Sequence, residues 1–228
     1  MTWIKICGTT NLEDALMAVD AGADALGFVF YDGSPRNVNP EVVRDIVKKL
    51  PDKIEKVGVF AGESFEVMEE LAIRAGLTAI QFLPSLSGDE DNMGRPRAAH
   101  LKKYLVIPAR RFFDSKGALD FAISVKDPET EKWPTAIVVD SSTPQEPGGT
   151  GKTFDWQGST PLVDIVRRAG FDMVVAGGLN PTNVAEAIRI LNPWGVDVVS
   201  GVEASPGKKN PGKVRAFVKA VRQMEKSK

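Results

Sequence analysis

A chain of 228 residues is long enough to bury a sizeable core without disulfides or a structural metal. Its 29 basic and 30 acidic residues nearly cancel, which removes any global electrostatic case for a nucleic-acid or membrane partner. One cysteine, Cys7, and one histidine, His100, exclude an internal disulfide, a cysteine zinc cluster and His-x-His or HExxH metal sites.

The opening Met1–Ile6 is too short and too charged for a signal peptide, and no apolar run approaches the ~20 residues that cross a bilayer. The expectation is a soluble, cytoplasmic protein. Thr2–Ile6 is the first of eight short apolar runs rich in β-branched residues, each suited to a buried parallel strand. After it, Asn11 can cap a helix carrying Leu12, Ala15, Leu16 and Val19 that ends near Gly22. The second run is Ala25–Phe30. Pro40 then starts a helix with Val42, Val43, Ile46, Val47 and Leu50, halted by Pro51. Lys56–Phe60 follows, and Ser64 opens a helix with Val67, Met68, Leu71 and Ala72 that closes by Gly76.

Thr78–Phe82 leads into Pro84–Pro96, which reads as a surface loop. Tyr104–Pro108 and Thr135–Val139 are the fifth and sixth runs, and the Gly/Pro-rich Ser141–Lys152 after them has the length of a lid. Asp172–Ala176 is the seventh. Pro181 sits in the first turn of a helix with Val184, Ala187, Ile188 and Leu191, and Val196–Ser200 is the eighth run. The basic end (Lys219, Arg222, Lys226, Lys228) reads as a solvated helix face. Strand–helix alternation argues for a parallel sheet, and eight units favour one α/β domain over 1–228, a single eight-stranded β/α (TIM) barrel. A doubly wound open sheet is the rival, but no GxGxxG turn follows the first run.

In such a barrel the C-terminal ends of the strands face the site. Those ends hold Cys7, Phe30 with Arg36 beyond it, Phe60, Gln81, Arg110 and Arg111, Asp140, Gly177 and Gly178, and Ser200 and Gly201. The set contains a thiol, a carboxyl group, guanidinium groups and two glycine turns, and no metal cluster. It suits proton transfer on an anionic substrate with no cofactor. Each member also has a plainer reading. Free cysteine is usually packing, and an aspartate at a strand end usually caps its loop. Alternation puts Lys5 on the side of Cys7, where its charge would favour a thiolate. Asp197 interrupts the eighth run as Lys5 interrupts the first, so the two are expected to pair across neighbouring strands.

Gly177-Gly178 and Ser200-Gly201 end adjacent strands, where barrels often bind phosphate, and Ser205-Pro206-Gly207 could open a short extra helix beside them. Arg36, between Pro35 and Pro40, suits bidentate carboxylate recognition or is merely solvated. Gly148–Thr153 lacks the first glycine of a Walker loop, with Glu146 in its place.

On these residues the sequence resembles the phosphoribosylanthranilate isomerase family. The matching segments are Lys5–Asn11, Gly27–Phe30, Ser34–Arg36, Val57–Phe60, Gly148–Trp156, Ala176–Asn180 and Ser200–Gly207, in order along nearly the whole chain. The resemblance implies an Amadori rearrangement of N-(5-phosphoribosyl)anthranilate in tryptophan biosynthesis, without a cofactor. It implies Asp140 as general acid, Cys7 as base, Arg36 at the substrate carboxylate and Gly177, Gly178, Ser200 and Gly201 at the phosphate. Lys5, Gln81 and Asp197 are further candidates. The partner is a small phosphoribosyl molecule, and the chain is a monomer or homodimer.

The family usually reads Gln-Leu-His-Gly after strand four, where this chain has Gln81-Phe82-Leu83-Pro84. That departure puts any contact from strand four in doubt. Two alternatives stand beside the main reading: a related phosphosugar isomerase, which would carry a carboxylate where Cys7 stands, and a catalytically silent phosphosugar-binding barrel.

Overall fold

The computed structural model describes residues 1–83, 101–108, 135–141 and 153–226. The Pro84–Pro96 loop, His100, Arg110, Arg111 and the Gly148–Lys152 run lie outside the described residues. So does all but Ser141 of the expected lid.

Eight strands recur along the chain: β1 Trp3–Ile6, β2 Ala25–Val29, β3 Glu55–Ala61, β4 Ala79–Leu83, β5 Lys102–Pro108, β6 Ala136–Asp140, β7 Asp172–Val175 and β8 Gly195–Val198. Each pairs in parallel with the next in chain order, and β8 pairs again with β1. The result is an α/β fold with a curled parallel sheet. Its described helices are α1 Leu12–Ala21, α2 Pro40–Val47, α3 Phe65–Ala75, α4 Thr160–Arg168, α5 Val184–Leu191 and α6 Pro211–Lys226. No helix among the described residues is long and apolar enough to cross a membrane.

Alternation sorts the strand residues into two layers. Ile4, Ile6, Leu26, Phe28, Ile80, Ile137, Val175 and Val196 face the helices and form the large outer core. Ala25, Val57, Ala79, Tyr104, Ala136, Val138 and Val174 form a second cluster on the concave face. The small alanines there leave room for Tyr104 and for Trp3, which lies 5.5 Å from Tyr104 and stacks on Trp194 at 5.2 Å. Tyr104 donates its hydroxyl hydrogen to Glu55, and Lys102 pairs with the other Glu55 oxygen at 2.6 Å. Outside, α6 buries Val214, Phe217, Val218 and Val221, each burial stabilising by roughly 1.5–3 kcal/mol.

Several local expectations change. Asn11 caps α1 as expected, its Oδ1 accepting from Asp14 N at 2.9 Å. Asn180 has no such role. Its Oδ1 accepts from Thr182 N at 2.9 Å in a turn, so Pro181 precedes the helix and α5 starts at Val184. Helix α2 ends at Val47 rather than reaching Pro51, passing into tight turns such as Leu50 N to Val47 O. Strand β8 stops at Val198 because Val199 takes ψ near −90° and leaves the ladder. Ser200 and Gly201 therefore lie on a 3-10 turn, Ser200–Val202. Ser205-Pro206-Gly207 opens no helix: Glu203–Ser205 (β9) and Lys208–Lys209 (β10) form an antiparallel ribbon, turned at Gly207 with φ of 79°.

Candidate active site

Cys7 follows β1 directly, and its amide donates to Val198 O at 2.9 Å, continuing the β1–β8 ladder by one residue. The chain then turns at Gly8, whose φ of 73° suits glycine and whose missing Cβ leaves space for Arg36. Cys7 is buried, 3% exposed. On the neighbouring strand a Cβ at Gly27 would stand 2.5 Å from Cys7 Sγ and 2.9 Å from Lys5 Cε. The thiol and the lysine stem thus pass over one glycine.

Lys5 is fully buried and lies opposite Asp197 in the β1–β8 register. Its Nζ meets Asp197 Oδ2 at 2.6 Å, so the expected ion pair is present, and donates to Gln81 Oε1 at 2.7 Å. Burial alone would lower the Lys5 ammonium, but Asp197 and Cys7 more than offset it, so Lys5 stays charged above its ordinary value. For Cys7 the balance runs the other way. Burial pushes the thiol up; Lys5 and Lys209 pull it down, Asp197 adds to the rise, and the net effect is upward. Lys5 acts on the thiol with the expected sign, favouring the thiolate, but does not overcome desolvation.

Arg36 is buried and already partnered. Glu203 takes its Nε at 3.0 Å and its Nη2 at 2.8 Å in a two-pronged grip. Lys209, fully buried, donates to Glu203 Oε1 at 3.0 Å and to Cys7 O at 2.5 Å. The sequence reading missed Glu203 and Lys209. Both lie in the Ser200–Lys209 run, but no local pattern separates a buried charge in a ribbon from the solvated charges usual in loops. Burial would raise the Glu203 carboxyl, yet the Arg36 hydrogen bonds and the Lys209 charge hold it below the usual carboxylate range.

Asp140 ends β6, half-buried, on the same face as Val138. It shares a small cavity with Gly177, Gly178, Asp197 and Ser200. Asp197 is 4% exposed, and its second oxygen, Oδ1, has no hydrogen-bond partner among the described residues. Gly177 and Gly178 both have positive φ, 81° and 64°, a backbone conformation that favours glycine. A Cβ on Gly201 would stand 1.9 Å from Leu179 O, so the turns after β7 and β8 touch through glycine. A larger cavity of about 550 Å³ lies against α6, behind the same turns, but contains neither Asp140 nor Asp197. The smaller one holds both carboxylates, Asp140 and Asp197. Among the described residues, no three His, Cys, Asp or Glu side chains converge as a metal-binding group.

Residues 4–220 match the family described as N-(5′-phosphoribosyl)anthranilate (PRA) isomerase. A protein of that name from Pelobacter propionicus is 43% identical over 225 residues, covering 98% of this chain and 97% of its own. Among solved structures, phosphoribosyl anthranilate isomerase from Thermotoga maritima is 36% identical with a TM-score of 0.80, covering 98% of this chain and 100% of its own. Another structure of such an isomerase, in complex with reduced 1-(o-carboxyphenylamino)-1-deoxyribulose 5-phosphate, is 35% identical with a TM-score of 0.78 and the same coverage.

Proposed function

The chain belongs to the N-(5′-phosphoribosyl)anthranilate isomerase family of tryptophan biosynthesis, and from that premise we propose how its residues divide the reaction. Asp140 protonates the ribose ring oxygen and opens the ring, leaving an iminium ion. Cys7 removes the proton from C2, and the resulting enolamine becomes the ketone. Arg36 takes the substrate carboxylate with the guanidinium hydrogens that Glu203 leaves unused. Backbone N–H groups at Gly177, Gly178, Ser200 and Gly201 cradle the phosphate.

The observation that carries this reading is the cavity shared by Asp140, Gly177, Gly178 and Asp197, with Asp197 tied through Lys5 to the strand that Cys7 directly follows. A carboxyl group and the proposed anion cradle share that cavity at the C-terminal ends of strands, where α/β barrels do their chemistry, and the thiol follows the neighbouring strand β1. The charges support it too. With Asp140 protonated as the proposed acid, Lys5, Lys209 and Arg36 bring three positive charges against the two negative ones of Asp197 and Glu203, a balance that suits an anionic substrate. The raised thiol fits an ordered reaction, because the iminium created by ring opening adds positive charge beside Cys7 just when a thiolate is needed.

The same reading takes the architecture as one eight-stranded β/α (TIM) barrel over 1–228. It is supported by the ladder order and the return pairing of β8 on β1. Gln81 acts by holding Lys5 rather than by meeting substrate.

The test is turnover of N-(5-phosphoribosyl)anthranilate by the purified chain, alongside titration with the reduced product analogue. Turnover that Cys7→Ala and Asp140→Asn each abolish supports the assignment. Tight binding without turnover in the unaltered chain would instead make it a silent phosphosugar binder.

A further inference from the structure

Glu203 accepts hydrogen bonds from three residues at once. Its Oε1 takes Arg36 Nε at 3.0 Å, Lys209 Nζ at 3.0 Å and Gly207 N at 3.2 Å, while Oε2 takes Arg36 Nη2 at 2.8 Å. With its side chain 4% exposed, this carboxylate is enclosed by these donors and away from water. Its work is geometric. The Arg36 stem crosses Gly8, where a Cβ would stand 2.8 Å from Arg36 Cδ, so the guanidinium is fixed at its stem by glycine and at its head by Glu203. Arg36 Nη1 has no hydrogen-bond partner among the described residues. On the other side, Lys209 carries the link to the Cys7 carbonyl at 2.5 Å, and the Lys209 amide donates to Asp14 Oδ2 at 2.8 Å.

We propose that Glu203 is the positioning residue for substrate binding: by gripping one edge of Arg36 it presents the remaining edge to the substrate carboxylate. Through Lys209 it also holds that edge in register with the backbone of Cys7. The inference rests on the assignment of Arg36 to the substrate carboxylate. Without Glu203 the guanidinium loses its two charge-assisted bonds and the fork swings, and a planar donor that is off by a few tenths of an ångström no longer meets a carboxylate with two bonds. A purely structural staple behaves differently. Loss of folded enzyme lowers kcat alone, because the surviving molecules bind as before, whereas a misplaced Arg36 raises KM.

The experiment is steady-state kinetics of the full chain with N-(5-phosphoribosyl)anthranilate for Glu203→Gln, Arg36→Met and the double variant. Glu203→Gln is expected to raise KM by about tenfold or more, the scale of one lost charge-assisted hydrogen bond. In the Arg36→Met background the same change is expected to leave KM where Arg36→Met alone puts it. If Glu203→Gln fails to fold because Lys209 is orphaned, the comparison is made between Glu203→Gln/Lys209→Met and Lys209→Met. A raised KM in Arg36→Met with an unchanged KM in Glu203→Gln overturns this inference alone. An unchanged KM in Arg36→Met overturns the carboxylate assignment and, with it, the inference. Equal KM penalties for Glu203→Gln in both backgrounds also overturn it, since Glu203 would then act by another route.

Discussion

Gly27 on β2 stands beside Cys7 so closely that a Cβ there would lie 2.5 Å from the sulfur. The same atom would lie 2.9 Å from Lys5 Cε, so a methyl group has no direction in which to go without moving one of the two. Gly27→Ala is therefore expected to leave the fold intact and to displace the thiol. Turnover should fall by about tenfold or more, at a cost in stability of about 1–3 kcal/mol. Kinetics together with thermal unfolding checks both; full activity would mean that the thiol position is not critical.

Cys7 and Asp140 carry the largest kinetic expectation. Acid or base assistance typically contributes about 10²–10⁴-fold, so Cys7→Ala and Asp140→Asn should each lose at least about two decades in turnover while circular dichroism stays unchanged. Near-normal turnover in either variant removes that residue from the mechanism.

The Cys7 thiol lies above its ordinary value, chiefly through burial, with Lys5 pulling it down. With the thiol raised in the free enzyme, kcat/KM should climb as pH rises toward the thiol's ionisation. Lys5→Met removes the stabilising charge, so ionisation should move further up. The ultraviolet absorbance of the thiolate followed against pH, with Cys7→Ser as the blank, reads the shift directly. A downward move in Lys5→Met would refute the sign.

Lys5 and Asp197 are buried partners, and removing one leaves the other charged and unpaired. Lys5→Met should destabilise by about 3–5 kcal/mol in urea unfolding. The double change Lys5→Met/Asp197→Leu should recover much of that loss, because a well-packed apolar pair incurs no desolvation penalty. A double variant less stable than Lys5→Met would mean that packing rather than charge dominates.

Glu203 has a folded-state pKa below its unfolded value of about 4.3, so the stability it contributes is present above that pH. It is lost as pH falls through the folded value. The stability gap between the unaltered chain and Glu203→Gln should therefore be widest near neutrality and narrow below about pH 4. Urea unfolding at several pH values measures the gap; a gap that widens in acid would contradict the ion-pair assignment.

Much of this protein is readable before any coordinates. Strand–helix alternation gives the parallel order, and period-two patterning puts Lys5 and Cys7 on one face. Two isolated charges in apolar strands, Lys5 and Asp197, announce each other because a buried ion needs a counterion. Helix α1 shows its cap at Asn11. What misled was Pro181, read as part of a helix's first turn: Asn180 Oδ1 accepts from Thr182 N in a turn there, and the helix begins only at Val184.

The order and approximate positions of the strands were legible in the sequence, since they follow from short-range periodicity and backbone preference, although β8 stops at Val198, two residues before the expected end. Only the tertiary structure decided that Arg36 is held by Glu203, that Lys209 reaches the Cys7 carbonyl, and that burial outweighs Lys5 at the thiol. Those outcomes depend on distances between residues as much as 202 positions apart, Cys7 and Lys209 among them, and on how completely water is excluded. Neither quantity is encoded in any local stretch of chain: electrostatic energy depends on separation in space and on the surrounding dielectric, and folding sets both.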